Sequence, residues 1–267
     1  MNAVTIAKTI LRNYLDLEGR PLPSFLIIGA QKAGTSSLFS YLSQHPAILG
    51  SFIKEVQFFT RRYHWGVRGY RACFPKAQSI NNGGPYQCGE STPFYLFDEQ
   101  APDRIRTLIP NIKLIAMLRE PVERAYSHHK HCIRHGLEKR SFEEAVEADL
   151  DRYNRHGIAR CPGEPTHSYR HHSYVRRGFY DQQLERWFQR FPKENILCMR
   201  AEDFFADPAN ETSKVVKFLG LPPAELPTDR AHNQYAYVKK DRGDFPELAR
   251  LYQEANERLE KMTGINW

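Results

Sequence analysis

The sequence predicts an α/β protein: a three-layer fold with a central parallel β-sheet flanked by helices, built as one domain over residues 1–267. Three stretches carry that expectation. "FLIIGAQKAGTSSL" (25–38) reads as a buried strand, a glycine loop and the start of a helix. "IKLIAML" (112–118) is a second apolar run, followed by the helical "VERAYSHHKHCIRHG". "NILCM" (195–199) is a third, preceded by the amphipathic "YVRRGFYDQQLERWFQRF". Short apolar strands alternating with helices suit a parallel sheet, because each crossover must return along one of its faces.

Residues 1–23 carry helical periodicity in "IAKTILRNYLDLEG" and are broken at Gly19, Pro21 and Pro23, which predicts a short N-terminal helical extension ahead of a core over 24–264. After the first strand, "SSLFSYLSQHP" is expected to be a helix that Ser36 or Ser37 helps to start. "FIKEVQFFTRRYHWGVRGYRACFP" has no clean period, and "YQCGESTPFYLF" follows the turn signal "NNGGP"; both are expected to be loops bordering a site. "EQAPDRIRTLIP" is expected to be helical, and Ser141 with Glu144 forms a capping-box signature for another helix. Residues 157–173 are polar with Gly and Pro and are expected to be an exposed loop. "DPANETSKVVKFLGLP" predicts a helix capped by Asp207 and ended by Gly220, and "FPELARLYQEANERLEKMTG" a closing helix.

With 41% hydrophobic and 26% charged residues, the chain has the composition of a soluble globular protein. Its 38 basic against 31 acidic residues give a net charge of +7, which favours an anionic ligand, an acidic polymer or a membrane surface. The apolar runs are too short to span a bilayer and the N-terminus lacks the apolar core of a secretion signal, so no membrane span and a cytoplasmic location are expected. Five cysteines form an odd set without a C-x-x-C pair, which argues for reduced thiols rather than disulfides or zinc. No helix-turn-helix, zinc finger or RNA-stacking motif accompanies the positive charge, so a nucleic-acid-binding module is the weaker reading.

The glycine loop raises the sharpest question. The phosphate-loop pattern G-x-x-x-x-G-K-[ST] is met at Gly29, Gly34 and Ser36, but Thr35 fills the lysine slot and the lysine stands at Lys32. Backbone N–H groups at a helix start bind phosphate whatever the later chemistry, so Ala33, Gly34, Thr35, Ser36 and Ser37 are candidate phosphate contacts. A nucleotide kinase or other NTPase also needs a lysine on the terminal phosphates and an acidic magnesium ligand on a neighbouring strand. Here "IKLIAML" ends in Arg119, which suits a second phosphate better than a metal. A nucleotide with a 5′-phosphate in the loop and a 3′-phosphate on Arg119 and Ser127 fits, and that describes 3′-phosphoadenosine 5′-phosphosulfate (PAPS). Lys32 could then neutralise charge on the bridging oxygen of the leaving phosphate, with no metal required.

On these residues the sequence resembles the PAPS-dependent sulfotransferases, in particular the heparan-sulfate and carbohydrate type. "QKAGTSS" resembles their 5′-phosphosulfate loop, "LREPVERAYSHH" their 3′-phosphate segment and "KEVQFF" their acceptor-side motif, with further matches through "KFLGLP". The resemblance implies Lys32 and Glu55 as catalytic residues, Glu55 being the general base that deprotonates a hydroxyl or amine. It implies Glu55 and Glu90 as acceptor-binding residues, and Lys240, Arg242 and Gly243 in "YVKKDRGDF" as cofactor contacts. The acceptor would be a glycan or a small molecule. Two features depart from the pattern: Ser91 stands where heparan-type members often carry a lysine, and no cysteine follows Cys198 to close the cofactor loop.

Each candidate also has a structural alternative. Lys32 could be a solvated lysine, Glu55 could pair with Lys54 or Arg61, and Arg119 could pair with Glu120 or Glu123. The apolar surroundings of Glu55 (Phe52, Val56, Phe58, Phe59) are of the kind that raise a carboxyl pKa by desolvation. His131 and His135 stand at i, i+4, a spacing able to hold zinc, but without a local third ligand they read as part of a basic helix face. "SYRHHSYVRR" reads either as the lining of an acceptor groove or as a solvated loop.

Overall fold

Strand β1 (Phe25–Gly29) is buried at every position, as an apolar run at the centre of a sheet should be. It pairs in parallel with β4 (Lys113–Leu118), Phe25 opposite Lys113 and Ile27 opposite Ile115, and β4 pairs in parallel with β5 (Ile196–Arg200). Two further parallel strands, β2 (Ile48–Gly50) and β3 (Gln87–Ser91), complete the order β2-β3-β1-β4-β5. The computed structural model describes residues 3–79, 85–228 and 245–267, so the expected cofactor contacts Lys240, Arg242 and Gly243 lie outside the described residues.

β3 corrects the expectation of a loop in "YQCGESTPFYLF". A strand with Gly, Glu and Ser at its centre has no apolar signature. Gly89 is needed because a Cβ there would stand 2.3 Å from the ring of Phe25, and Glu90 is buried with the amide of Val56 and the hydroxyls of Tyr70, Thr92 and Tyr95 bonded to it.

The helices follow the expected alternation. α1 (Ala3–Leu15) is tied to the site-bordering stretch through Asn13 Nδ2, which donates to Ala72 O at 3.0 Å, and Arg20, after the helix, donates through Nη1 to Phe74 O at 2.6 Å. α2 (Thr35–Leu42) starts at Thr35 after Gly34, whose φ of 92° no L side chain favours; neither Ser36 nor Ser37 caps it, which corrects that expectation. α3 (Gly66–Arg71), α4 (Ala101–Leu108) and α5 (Pro121–Arg134) follow. α6 (Phe142–His156) has the expected reciprocal cap: Glu144 N donates to Ser141 Oγ at 3.2 Å and Ser141 N to Glu144 Oε2 at 2.8 Å.

The polar stretch 157–173 is not simply an exposed loop. It contains α7 (Thr166–His171), and its Glu164 and Ser173 are buried. The cause is Arg176, fully buried beyond the stretch, whose guanidinium meets Asp149 at 2.8 Å and Glu164 at 2.6 Å. Asp149 Oδ2 also accepts from Val175 N and Arg176 N at 2.7 and 3.0 Å, at the start of a 3₁₀ turn (Arg176–Gly178) that leads into α8 (Tyr180–Phe188). α9 (Ala201–Ala206) and α10 (Pro208–Phe218) follow β5, with Asp207 accepting from Asn210 N at 3.1 Å. α11 (Pro246–Thr263) packs on α8 and α5.

One apolar cluster surrounds the sheet, and a second joins α5, α6 and α11 through residues such as Val122, Phe142 and Tyr252. All five cysteines are free thiols. No described helix is long and apolar enough to cross a membrane.

Candidate active site

The chain leaves β1 toward β2 and β3 on one side of the sheet and leaves β4 toward β5 on the other, so the carboxyl ends of β1 and β4 flank a topological switch point. In open parallel sheets that crevice is where ligands bind. β1 delivers the glycine loop to it and β4 delivers Arg119.

Within the loop, Lys32 is half-buried with φ 76°, a left-handed conformation that an L residue holds only when its surroundings impose it. A Cβ on Gly34 would stand 2.8 Å from the ring of Phe205, so a glycine is required there on two counts. Ser37 N and Leu38 N both donate to Gly34 O, at 3.0 and 3.1 Å. The earlier amides belong to the first turn of α2, where a helix leaves N–H groups without intrahelical acceptors. Thr35 and Ser37 are buried and Ser36 is half-buried.

Burial holds the Lys32 ammonium down to about 8, assisted by the positive charges of Arg119, Arg134 and Lys54. Arg119 Nη1 donates to Lys32 O at 3.2 Å, and its Nη2 meets Glu123 Oε2 at 3.4 Å, so the ion-pair alternative for Arg119 is present together with a contact to the loop. Tyr180 donates to Arg119 O at 2.9 Å, and Glu120 caps α5 by accepting from Val122 N and Glu123 N. Ser127 lies half-buried on α5, two turns further along.

Glu55 stands on the other side, half-buried in a turn where Glu55 and Gln57 have φ values of 56° and 55°. Among the described residues it makes no ion pair with Lys54 or Arg61. Instead Gln57 Nε2 donates to Glu55 Oε2 at 3.2 Å, and Arg170 Nη2 donates to Gln57 Oε1 at 3.0 Å. The fully desolvated carboxyl is Glu90. It accepts from Val56 N, Thr92 Oγ1, Tyr70 OH and Tyr95 OH at 3.2, 2.6, 2.9 and 2.8 Å, and burial raises its pKa against the effect of those bonds.

Sequence reasoning missed the connection between the two sides. Arg170 O accepts from Arg177 Nη2 at 2.6 Å, and Arg177 Nη1 donates to Gln31 Oε1, next to Lys32. A hydrogen-bonded path therefore runs from Glu55 through Gln57, Arg170, Arg177 and Gln31 to the loop. Arg177 is almost wholly buried, and that burial, with Arg124 and Arg170 nearby, holds it down to about 9. The one available signal was the Arg176-Arg177 pair in "SYRHHSYVRR", which this path absorbs.

The histidines of α5 do not form a basic face. His128 and His129 are buried, and burial with the Lys32 charge holds His131 down to about 4, so its ring is neutral near pH 7. The rings of His131 and His135 lie with centroids 4.2 Å apart, tilted by 41°, and among the described residues no group of three His, Cys, Asp or Glu side chains could hold a metal ion.

A parallel sheet with a glycine loop and a cationic rim at its switch point defines an α/β protein of the phosphate-loop class. The family described as the sulfotransferase domain matches residues 22–263, and the chain belongs to that family. It is 34% identical over 76% of its length to the human bifunctional heparan sulfate N-deacetylase/N-sulfotransferase 3, covering 23% of that protein. It is also 34% identical to the human heparan sulfate glucosamine 3-O-sulfotransferase 6, again over 76% of this chain and 53% of the relative. The chain thus spans about a quarter to about half the length of these curated relatives. Among solved structures, a sulfotransferase from Alicyclobacillus acidocaldarius superposes with a TM-score of 0.69 at 28% identity, covering 92% of this chain and 97% of that one.

Proposed function

We propose that the protein transfers a sulfuryl group from PAPS to a hydroxyl or amine of a carbohydrate by in-line displacement. The observation that carries this reading is the convergence of Lys32 and Arg119 at the β1/β4 crevice, where Arg119 binds the carbonyl of the loop lysine. Arg119 also stands at the strand end from which an NTPase would offer an acidic magnesium ligand, which disfavours the kinase alternative.

The chain's own groups fit PAPS. The amides of Gly34, Thr35 and Ser36 at the start of α2 suit the 5′-phosphate, whereas Ala33 N and Ser37 N already donate to Ala30 O and Gly34 O at 3.2 and 3.0 Å, and Arg119 with Ser127 suits the 3′-phosphate. When bound, PAPS supplies a sulfuryl group activated by its phosphate leaving group. Lys32 stabilises the negative charge that grows on the bridging oxygen, in a site where burial first, and then the charges of Arg119, Arg134 and Lys54, disfavour its ammonium until an anion binds. Glu55, oriented by Gln57, accepts the proton of the acceptor nucleophile. On the acceptor side, Arg62 stacks over Trp65 at 5.0 Å and Arg170 bonds to Gln57, a polar and aromatic lining suited to a glycan. The relatives named for heparan sulfate support that class of acceptor. Incubation with ³⁵S-labelled PAPS and partly N-deacetylated heparan sulfate tests the reading. Labelled polysaccharide is expected, and ATP hydrolysis without sulfuryl transfer would overturn it.

A further inference from the structure

Resting on the reading of Glu55 as the base, we propose that Glu90 is a positioning residue that holds the Glu55–Gln57 turn in its working conformation from inside the sheet. Two residues of that turn have left-handed backbones, which cost free energy and persist only where neighbouring bonds enforce them. The bonds that enforce them lead to β3. Glu90 Oε2 accepts from the amide of Val56, the residue between the two left-handed positions, at 3.2 Å. Thr92 Oγ1, which donates to the same carboxyl oxygen at 2.6 Å, accepts from Gln57 N at 3.1 Å. Tyr95 OH donates to Glu90 Oε1 at 2.8 Å and accepts from Phe59 N at 3.4 Å. Three amides of the stretch 56–59 thus end on Glu90 or on a hydroxyl bonded to it.

With its side chain fully buried and four donors on its two oxygens, Glu90 has no surface to offer an acceptor molecule. Its effect on chemistry passes through Glu55. The role requires an acceptor oxygen toward Val56 N and Thr92, not a negative charge. A glutamine can supply that oxygen while its amide donates to the hydroxyl oxygens of Tyr70 and Tyr95.

Four variants test this: Glu90→Gln, Glu90→Leu, Glu55→Gln and the double variant Glu55→Gln/Glu90→Leu. They are assayed by PAPS turnover on partly N-deacetylated heparan sulfate and by hydrogen exchange of the peptide spanning 54–59. Glu90→Gln is expected to keep kcat within about threefold and the amides protected. Glu90→Leu is expected to lose protection and at least about tenfold in kcat, since small misplacements of a reacting group are expensive, with little change in the KM for PAPS. In the double variant the two losses should not add, because both act on one group. A dead Glu90→Gln with protected amides, or additive losses, would overturn the proposal. Unchanged exchange in Glu90→Leu would do so without any turnover measurement. Should Glu90→Leu not fold, Thr92→Val, which leaves Gln57 N without its acceptor, is expected to deprotect the same peptide. Normal turnover in Glu55→Gln would instead remove the base assignment and leave the exchange result standing.

Discussion

The guanidinium of Arg119 donates to the carbonyl of Lys32 at 3.2 Å, so the end of β4 is fastened to the loop at the end of β1. A contact on this arginine is therefore felt at the lysine, both through that bond and through the mutual repulsion of the two charges.

Nucleotide preference should reveal the pair. Adenosine 3′,5′-bisphosphate is expected to raise the melting temperature well above adenosine 5′-monophosphate at equal concentration, because ligand affinity adds to stability. Arg119→Ala should remove the difference. Equal shifts in the unsubstituted protein would take the 3′-phosphate away from Arg119 and Ser127.

Lys32→Ala is expected to lower kcat by about 10²-fold or more, with a smaller effect on cofactor affinity, if the lysine meets charge that develops in the transition state. Single-turnover kinetics with calorimetry separates the two. A loss confined to binding would make Lys32 a ground-state contact.

The depressed pKa of Lys32 gives binding a pH dependence of definite sign. Without ligand the ammonium loses its proton near pH 8, whereas a bound phosphate favours the charged form. Affinity for adenosine 3′,5′-bisphosphate should be full below pH 8 and fall by up to about tenfold per unit above it, with proton uptake on binding. Calorimetry in buffers of different ionisation enthalpy measures that uptake, which Lys32→Ala should abolish.

Glu55→Gln keeps shape and most hydrogen bonding but cannot take a proton. Turnover is expected to fall by about 10²- to 10⁴-fold while cofactor binding survives. Near-normal turnover would exclude Glu55 as the base.

Arg176→Met should destabilise the protein by up to about 3–5 kcal/mol, because it removes the buried cation between Asp149 and Glu164 and leaves them only Arg152, at 3.1 and 3.5 Å. The urea midpoint at pH 7 measures the loss. A change below about 1 kcal/mol would show that Arg152 alone suffices to neutralise the two carboxylates.

What could be read from the sequence depended on whether the cause was local. β1 and β4 were legible because a strand central to a parallel sheet is apolar along its length, β5 at the sheet edge through the short apolar run "NILCM", and the loop through the spacing of its glycines. β3 was not, since Glu90 is tolerated there only through Tyr70, Tyr95 and Thr92 in the folded chain. The stretch 157–173 looked solvated for the same reason: its anchor, Arg176, lies outside it and reads as one more surface charge until Asp149 and Glu164 meet it. At the site, Lys32, Arg119 and Glu55 could be listed from motifs. The path through Gln57, Arg170, Arg177 and Gln31 joins three separate segments and has no pattern along the chain.

The state of the five thiols has a practical side. Cys73, Cys88 and Cys132 are buried, and burial pushes the Cys73 and Cys198 thiols up to about 12 and raises Cys88, Cys132 and Cys161 as well. Maleimides and spin labels react through the thiolate, so at neutral pH all five should be sluggish. A cysteine introduced at the exposed Arg61, close in sequence to Glu55, would be modified first, and a fluorophore there would report on ligand entry without any native cysteine having to be replaced.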